Sequence, residues 1–88
     1  MGVARTIEEK LTAAFHPVRL DVVDESEQHR GHGGWREGGE THFRVSIRAA
    51  AFDGQSRVAR QRAIHAALRE ELAGPVHALA LKVEGANE

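Results

Sequence analysis

Residues 42–49 alternate without a break: Phe43, Val45, Ile47 and Ala49 are apolar, and His42, Arg44, Ser46 and Arg48 are polar. Successive side chains of a strand point to opposite faces, so this pattern marks a strand with one face against a core and the other toward water. Such a strand needs neighbours in a sheet and a layer covering its apolar side. Val18, Leu20 and Val22, alternating with Arg19 and Asp21, supply a second half-buried strand that ends near Asp24 to Ser26. Its expected hairpin partner is the 42–49 strand.

The covering layer comes from two segments with helical period. Ile7, Leu11, Ala14 and Phe15 share one helical face, Thr6 and Glu9 have capping-box spacing, and Pro17 stops the run, which predicts a helix over 7–15. Ser56 is a candidate N-cap for a second helix with Ile64, Leu68 and Leu72 on its buried stripe, ended by Gly74 and Pro75. Beyond it, His77, Leu79, Leu81 and Val83 share one face of a last strand, and Val76, Ala78 and Ala80 share the other. Apolar residues on both faces predict deep burial, and residues 84–88 are expected to fray. The order helix, strand, strand, helix, strand predicts an α+β fold: a small mixed three-stranded sheet with helices on one face.

At 88 residues the chain is long enough for one domain, with an ordered core expected over about 6–83. Residues 27–40 have no apolar period and contain Gly31, Gly33, Gly34, Gly38 and Gly39, which predicts a long mobile loop of the kind that carries function. The formal charge of −1 gives no global attraction to a polyanion. No cysteine is present, so any metal site must use histidine or carboxylate. No apolar run approaches the roughly 20 residues of a membrane span, which makes the cytoplasm the default expectation. No nucleophile, base and orienting group emerge as a set, so no enzyme is expected.

The six histidines point to metal chemistry. His29 and His32 lie in the glycine-rich loop, and His77 opens the last strand; loop and strand can bring imidazoles together that are far apart in sequence. Either His29 or His32 can serve as the loop ligand, and the glycines on both sides of His32, which allow close approach to an inorganic group, tip the balance toward His32. His42 alternates onto the face opposite Phe43, which suits a structural or interface role. His16 and His65 receive no chemistry. Trp35 is either a partner anchor or a cover for the sheet. Arg57, Arg60, Arg62 and Arg69 give the second helix a basic surface, either solvated and paired with Glu70 and Glu71 or used to contact a partner's carboxylates or DNA phosphates.

Taken together, several motifs in order resemble the BolA family over nearly the whole chain, from Ile7 to about Val83. They are Asp24 to Ser26, His29 to His32, Glu40 to Val45, Phe52 to Ser56, Arg60 to Arg62, Leu68 to Leu72 and Val76 to Leu81. The resemblance implies a fold similar to the class II KH domain and partnership with a monothiol glutaredoxin. It further implies a shared, bridging [2Fe-2S] cluster, held on the partner's side by cysteine and glutathione and on this side by His77 and a loop histidine. No cofactor is expected to stay tightly on the isolated chain, which would be a monomer or weak homodimer. Some relatives are described as transcriptional regulators, so weak DNA binding through the second helix is the alternative. Gln61 stands where the family commonly has histidine, the loop around Trp35 is longer and richer in glycine than in many relatives, and the family's terminal helix would be short or absent. The turn before the second helix lacks the Gly-x-x-Gly that clamps nucleic acid in KH domains.

Overall fold

The computed structural model describes residues 2–25 and 42–87. Helix α1 (Val3–Phe15) leads into strand β1 (Arg19–Asp24), followed by strand β2 (His42–Ala49) and a 3₁₀ turn (Ala50–Phe52). Helices α2 (Arg57–Ala67) and α3 (Arg69–Ala73) then lead to strand β3 (Ala78–Gly85). The sheet order is β1-β2-β3. β2 is antiparallel to β1, with Leu20 opposite Ile47 and Val22 opposite Val45, and parallel to β3, with His42 beside Ala78 and Ile47 beside Val83.

The alternation in β2 determines which way the sheet faces. Phe43, Val45, Ile47 and Ala49 are buried together with Ile7 and Leu11 of α1, Phe52, Ile64 of α2, Leu68 and Val76. Both apolar stripes of the sequence therefore meet one side of one strand, which is the mixed sheet and one-sided helix layer that the pattern predicts. Phe15 and Phe52 stack at 4.8 Å with rings tilted by 42° and close one end of this core.

Several local expectations give way to packing. Helix α1 starts at Val3 rather than Ile7, and Thr6 is no cap: its hydroxyl and amide both donate to Gly2 O, at 3.2 and 3.1 Å. Val3 and Ala4 pack against the core, so an extra turn of helix gains apolar contact that the capping box would have given up. Ala14 and Val18 are exposed. The helix ends at His16, which takes left-handed angles (φ 46°, ψ 57°) and donates to Thr12 O before Pro17 excludes another helical hydrogen bond.

The second helix is two helices divided at Leu68, whose buried side chain stays in the core while its φ of −107° breaks the run. Its start follows expectation, with Ser56 Oγ accepting from the Ala59 amide at 3.1 Å. Ser56→Ala should cost about 1 kcal/mol, read from the shift in urea midpoint; a change no larger than scatter would show that the cap contributes nothing.

β3 corrects a larger expectation. It is an edge strand, with Leu79, Leu81 and Val83 half-buried on one side and Ala78 and Ala80 exposed on the other. Deep burial belongs to β2, which takes the central place. Nor does the chain fray from Glu84: β3 runs to Gly85, and Asn87 is tied to Asp53 by hydrogen bonds of 3.2 Å from its amide and 2.7 Å from its side chain.

Candidate metal-ligating site

The α3–β3 connection places His77. Gly74 and Val76 both donate their amides to Glu71 O, at 3.2 and 2.9 Å, which folds the chain back at Gly74 and Pro75. A Cβ on Gly74 would stand 3.3 Å from Glu70 O, so the turn is too tight there for most side chains to enter without a shift. Val76 is buried and acts as an anchor, and His77 follows it as an exposed residue at the mouth of β3.

His42, the first residue of β2, meets it. The His42 and His77 ring centroids are 5.7 Å apart with planes at 50°, and His42 is only 5% exposed. His42 is thus the buried ring of the pair and His77 the exposed one, and a neutral imidazole open to solvent is a common metal ligand. Among the described residues no group of three or more His, Cys, Asp or Glu is placed to hold a metal ion. The described part of the chain thus offers one exposed imidazole backed by a buried one and leaves further ligands to come from elsewhere.

Ion pairs on the sheet side and on the helix side brace the surroundings. Glu25 meets Arg44 at 3.1 Å, while its amide donates to His42 O at 2.7 Å, continuing the β1–β2 pairing toward the site. On the helix side, Lys10 of α1 reaches Glu71 at 2.7 Å and Glu70 at 3.0 Å. Glu71 is the residue whose carbonyl shapes the turn before His77, so this contact pins that turn to α1. It also corrects the expected pairing of Glu70 and Glu71 with the arginines of the second helix.

The hydrogen bond to Glu71, followed by that to Glu70, holds the Lys10 ammonium above its ordinary pKa of 10.5. A group whose pKa rises on folding stabilises fully below its unfolded value and loses that contribution as pH climbs through the folded one. The chain has two lysines and no tyrosine or cysteine, so few groups compete in this window. Urea midpoints taken between about pH 8 and about pH 12 should fall at the alkaline end, and Lys10→Met should flatten that fall. An identical slope in the variant would exclude the contact as its source.

Of the residues singled out in the sequence, His77 lies at the site. His29, His32 and Trp35, with the expected loop over 27–40, lie outside the described residues. Arg57 and Arg62 are exposed on α2, and Arg60 is half-buried with Nη1 donating to Val83 O at 3.2 Å. The contact that sequence reasoning missed is His42 with His77. Alternation places His42 opposite Phe43 correctly, but only the parallel register of β2 and β3 brings its ring to His77.

Fold and site together define a small α+β domain presenting histidine at the end of a mixed sheet, and comparison with known proteins gives the class. A family model described as BolA-like protein matches residues 11–88, and the chain belongs to that family. It is 53% identical over 83 residues to a Sinorhizobium sp protein named for the cobS 5' region, covering 93% of this chain and 89% of that one. It is 47% identical over 81 residues to the DNA-binding transcriptional regulator BolA of Escherichia coli, covering 92% and 73%. Bovine BolA-like protein 1 is 46% identical over 80 residues, or 91% of this chain, which spans only 56% of the bovine protein. Among solved structures, Arabidopsis thaliana BolA1 superimposes with a TM-score of 0.85 at 36% identity, covering 97% and 93%. The BolA domain of SufE1 from the same plant gives 0.85 at 41%, covering 97% and 94%.

Proposed function

We propose that this chain is a non-catalytic partner of a monothiol glutaredoxin, co-ligating a bridging [2Fe-2S] cluster through His77 and a second histidine. The observation that carries the reading is the exposed His77 ring held 5.7 Å from His42 at the end of the sheet. Without thiolates the chain cannot hold a cluster in the four-cysteine manner, but two imidazoles can serve one iron while a partner's thiolates serve the other. A cluster so bound would supply an electron-transfer or transferable iron–sulfur group, with imidazole ligation raising its potential. His77 acts as the fixed ligand. His32 or His29 is the proposed second, and His42 orients the His77 ring. Trp35 is a proposed anchor for the partner. The physiological role would be cluster trafficking, maturation or iron regulation in the cytoplasm; no helix among the described residues is long and apolar enough to cross a membrane.

The test mixes the purified chain with a monothiol glutaredoxin, iron, sulfide and glutathione. A coloured heterodimer whose spectrum differs from that of the glutaredoxin alone is expected, and an unaltered spectrum with no heterodimer would refute the reading. Within the complex, His32→Ala should reduce cluster stability more than His29→Ala; the reverse order would move the ligand to His29.

The second reading, a DNA-binding regulator, is favoured by the name of the Escherichia coli relative. On that reading Arg57, Arg60 and Arg62 contact phosphates. Replacing the exposed pair Arg57 and Arg62 by Ala should then flatten the dependence of log affinity on log salt by about one unit per lost contact. An unchanged slope removes α2 from the interface.

A further inference from the structure

We propose that the cleft between the start of α2 and the outer edge of β3 is a binding site for a small phosphate-bearing molecule, separate from the imidazole pair. The cleft holds about 380 Å³ and is lined by Gln55, Arg57, Arg60, Gln61, Leu81, Lys82 and Val83. Leu81, Lys82 and Val83 are consecutive in an edge strand and so point alternately to its two faces. Leu81 and Val83 lie on the face toward the helices and Lys82 on the other, so the cleft lies on the helix side and reaches the strand's free edge, where Lys82 borders it and a ligand can enter from solvent.

The charge of this lining sets the ligand class. Among the described residues the lining includes three cations and no carboxylate, in a chain whose formal charge is −1. Arg60 is held at the wall by its 3.2 Å hydrogen bond to Val83 O, which fixes the guanidinium instead of leaving it to sweep through solvent. Arg57 and Lys82 are exposed at the rim. The first turn of α2 carries no acidic residue and begins with Arg57. A cation there opposes the positive end of the helix dipole, so the arrangement is poor for the helix alone and favourable with an anion present. Three cations exceed what one carboxylate needs and match a phosphate or pyrophosphate group. Guanidinium binds its oxygens in a bidentate fork and the ammonium adds a point charge. The carboxamides of Gln55 and Gln61 can donate to ester or hydroxyl oxygens, and Leu81 and Val83 provide an apolar floor.

Lys82 and Val83 lie five and six residues beyond His77, roughly 17–20 Å along the strand, so the two sites do not share a ligand. Arg62, exposed on α2, is not part of the lining.

The experiment is an amide NMR titration of the whole chain with sodium pyrophosphate at fixed ionic strength. Saturable shifts are expected at Gln55 to Gln61 and Leu81 to Val83. The double variant Arg57→Gln, Lys82→Gln should weaken binding at least tenfold, and His77→Ala should change it less than twofold. Both rim residues are exposed, so a normal spectrum for the double variant confirms its fold. Shifts that never saturate, or that spread equally to Arg19, Arg62 and Arg69, would reduce the effect to general ion pairing and overturn the proposal. Tighter binding of citrate than of pyrophosphate would overturn the phosphate class. A single-stranded oligonucleotide that binds more tightly than pyrophosphate, and is lost with Arg62→Ala but kept in the double variant, would replace the proposal with a nucleic-acid face.

Discussion

His77→Ala should remove the imidazole signature from the iron–sulfur chromophore of the mixed glutaredoxin complex while leaving the fold intact. The residue is exposed and its ring lies against His42 at the end of the sheet, so truncation opens no core cavity. Surface changes of this kind shift stability by about 0.5 kcal/mol or less. The backbone that places His77 is held by residues the variant keeps: the amides of Gly74 and Val76 on Glu71 O, and Lys10 on the Glu71 carboxylate. Visible circular dichroism of the complex and nitrogen hyperfine coupling in its reduced form give the readout, with thermal melting of the free chain as the folding control. The same chromophore with and without the His77 ring would remove this residue from the site.

A different class of effect is expected at Phe43. It is 2% exposed near the start of the middle strand, paired with Asp24 on one side and Leu79 on the other. Deleting a buried phenyl ring costs about 3–5 kcal/mol through lost transfer energy and the cavity left behind. Small domains hold only about 5–15 kcal/mol in total. Phe43→Ala should therefore remove a large share of the stability and move the urea midpoint sharply down, whereas Val58→Ala, at a residue 55% exposed, should move the midpoint little. A well-folded Phe43→Ala protein with a near-normal midpoint would show that the core does not centre on β2.

The contrast between these residues shows which information was local. Phe43 could be assigned from its neighbours alone, because a two-residue period has one structural meaning when polar and apolar residues alternate strictly. The stripe of Ile64, Leu68 and Leu72 was legible for the same reason, though not the break at Leu68, since both helical pieces use that buried residue. Periodicity misjudged β3 because alanines on the second face look apolar whether covered or open; position in the sheet decides, and that depends on pairing. The first turn of α1 was missed because Val3 and Ala4 gain their helical conformation from tertiary contact. His77 was legible through the motif around it. Its neighbour His42, like the Lys10 partner of Glu71, was not, because each contact joins residues that only the assembled sheet and helices bring together.

The parallel register of β2 and β3 also bears on how fast the chain can fold. It joins position 42 to 78 and position 49 to 85, so each rung closes a long stretch of chain that includes α2 and α3. Closing such loops slows folding, and contacts of this range form after local structure has restricted the search. The His42–His77 pair lies at the first rung of this ladder. A ligand that binds His77 as His42 orients it selects molecules in which β3 has docked, and its binding energy adds to the stability of that connection.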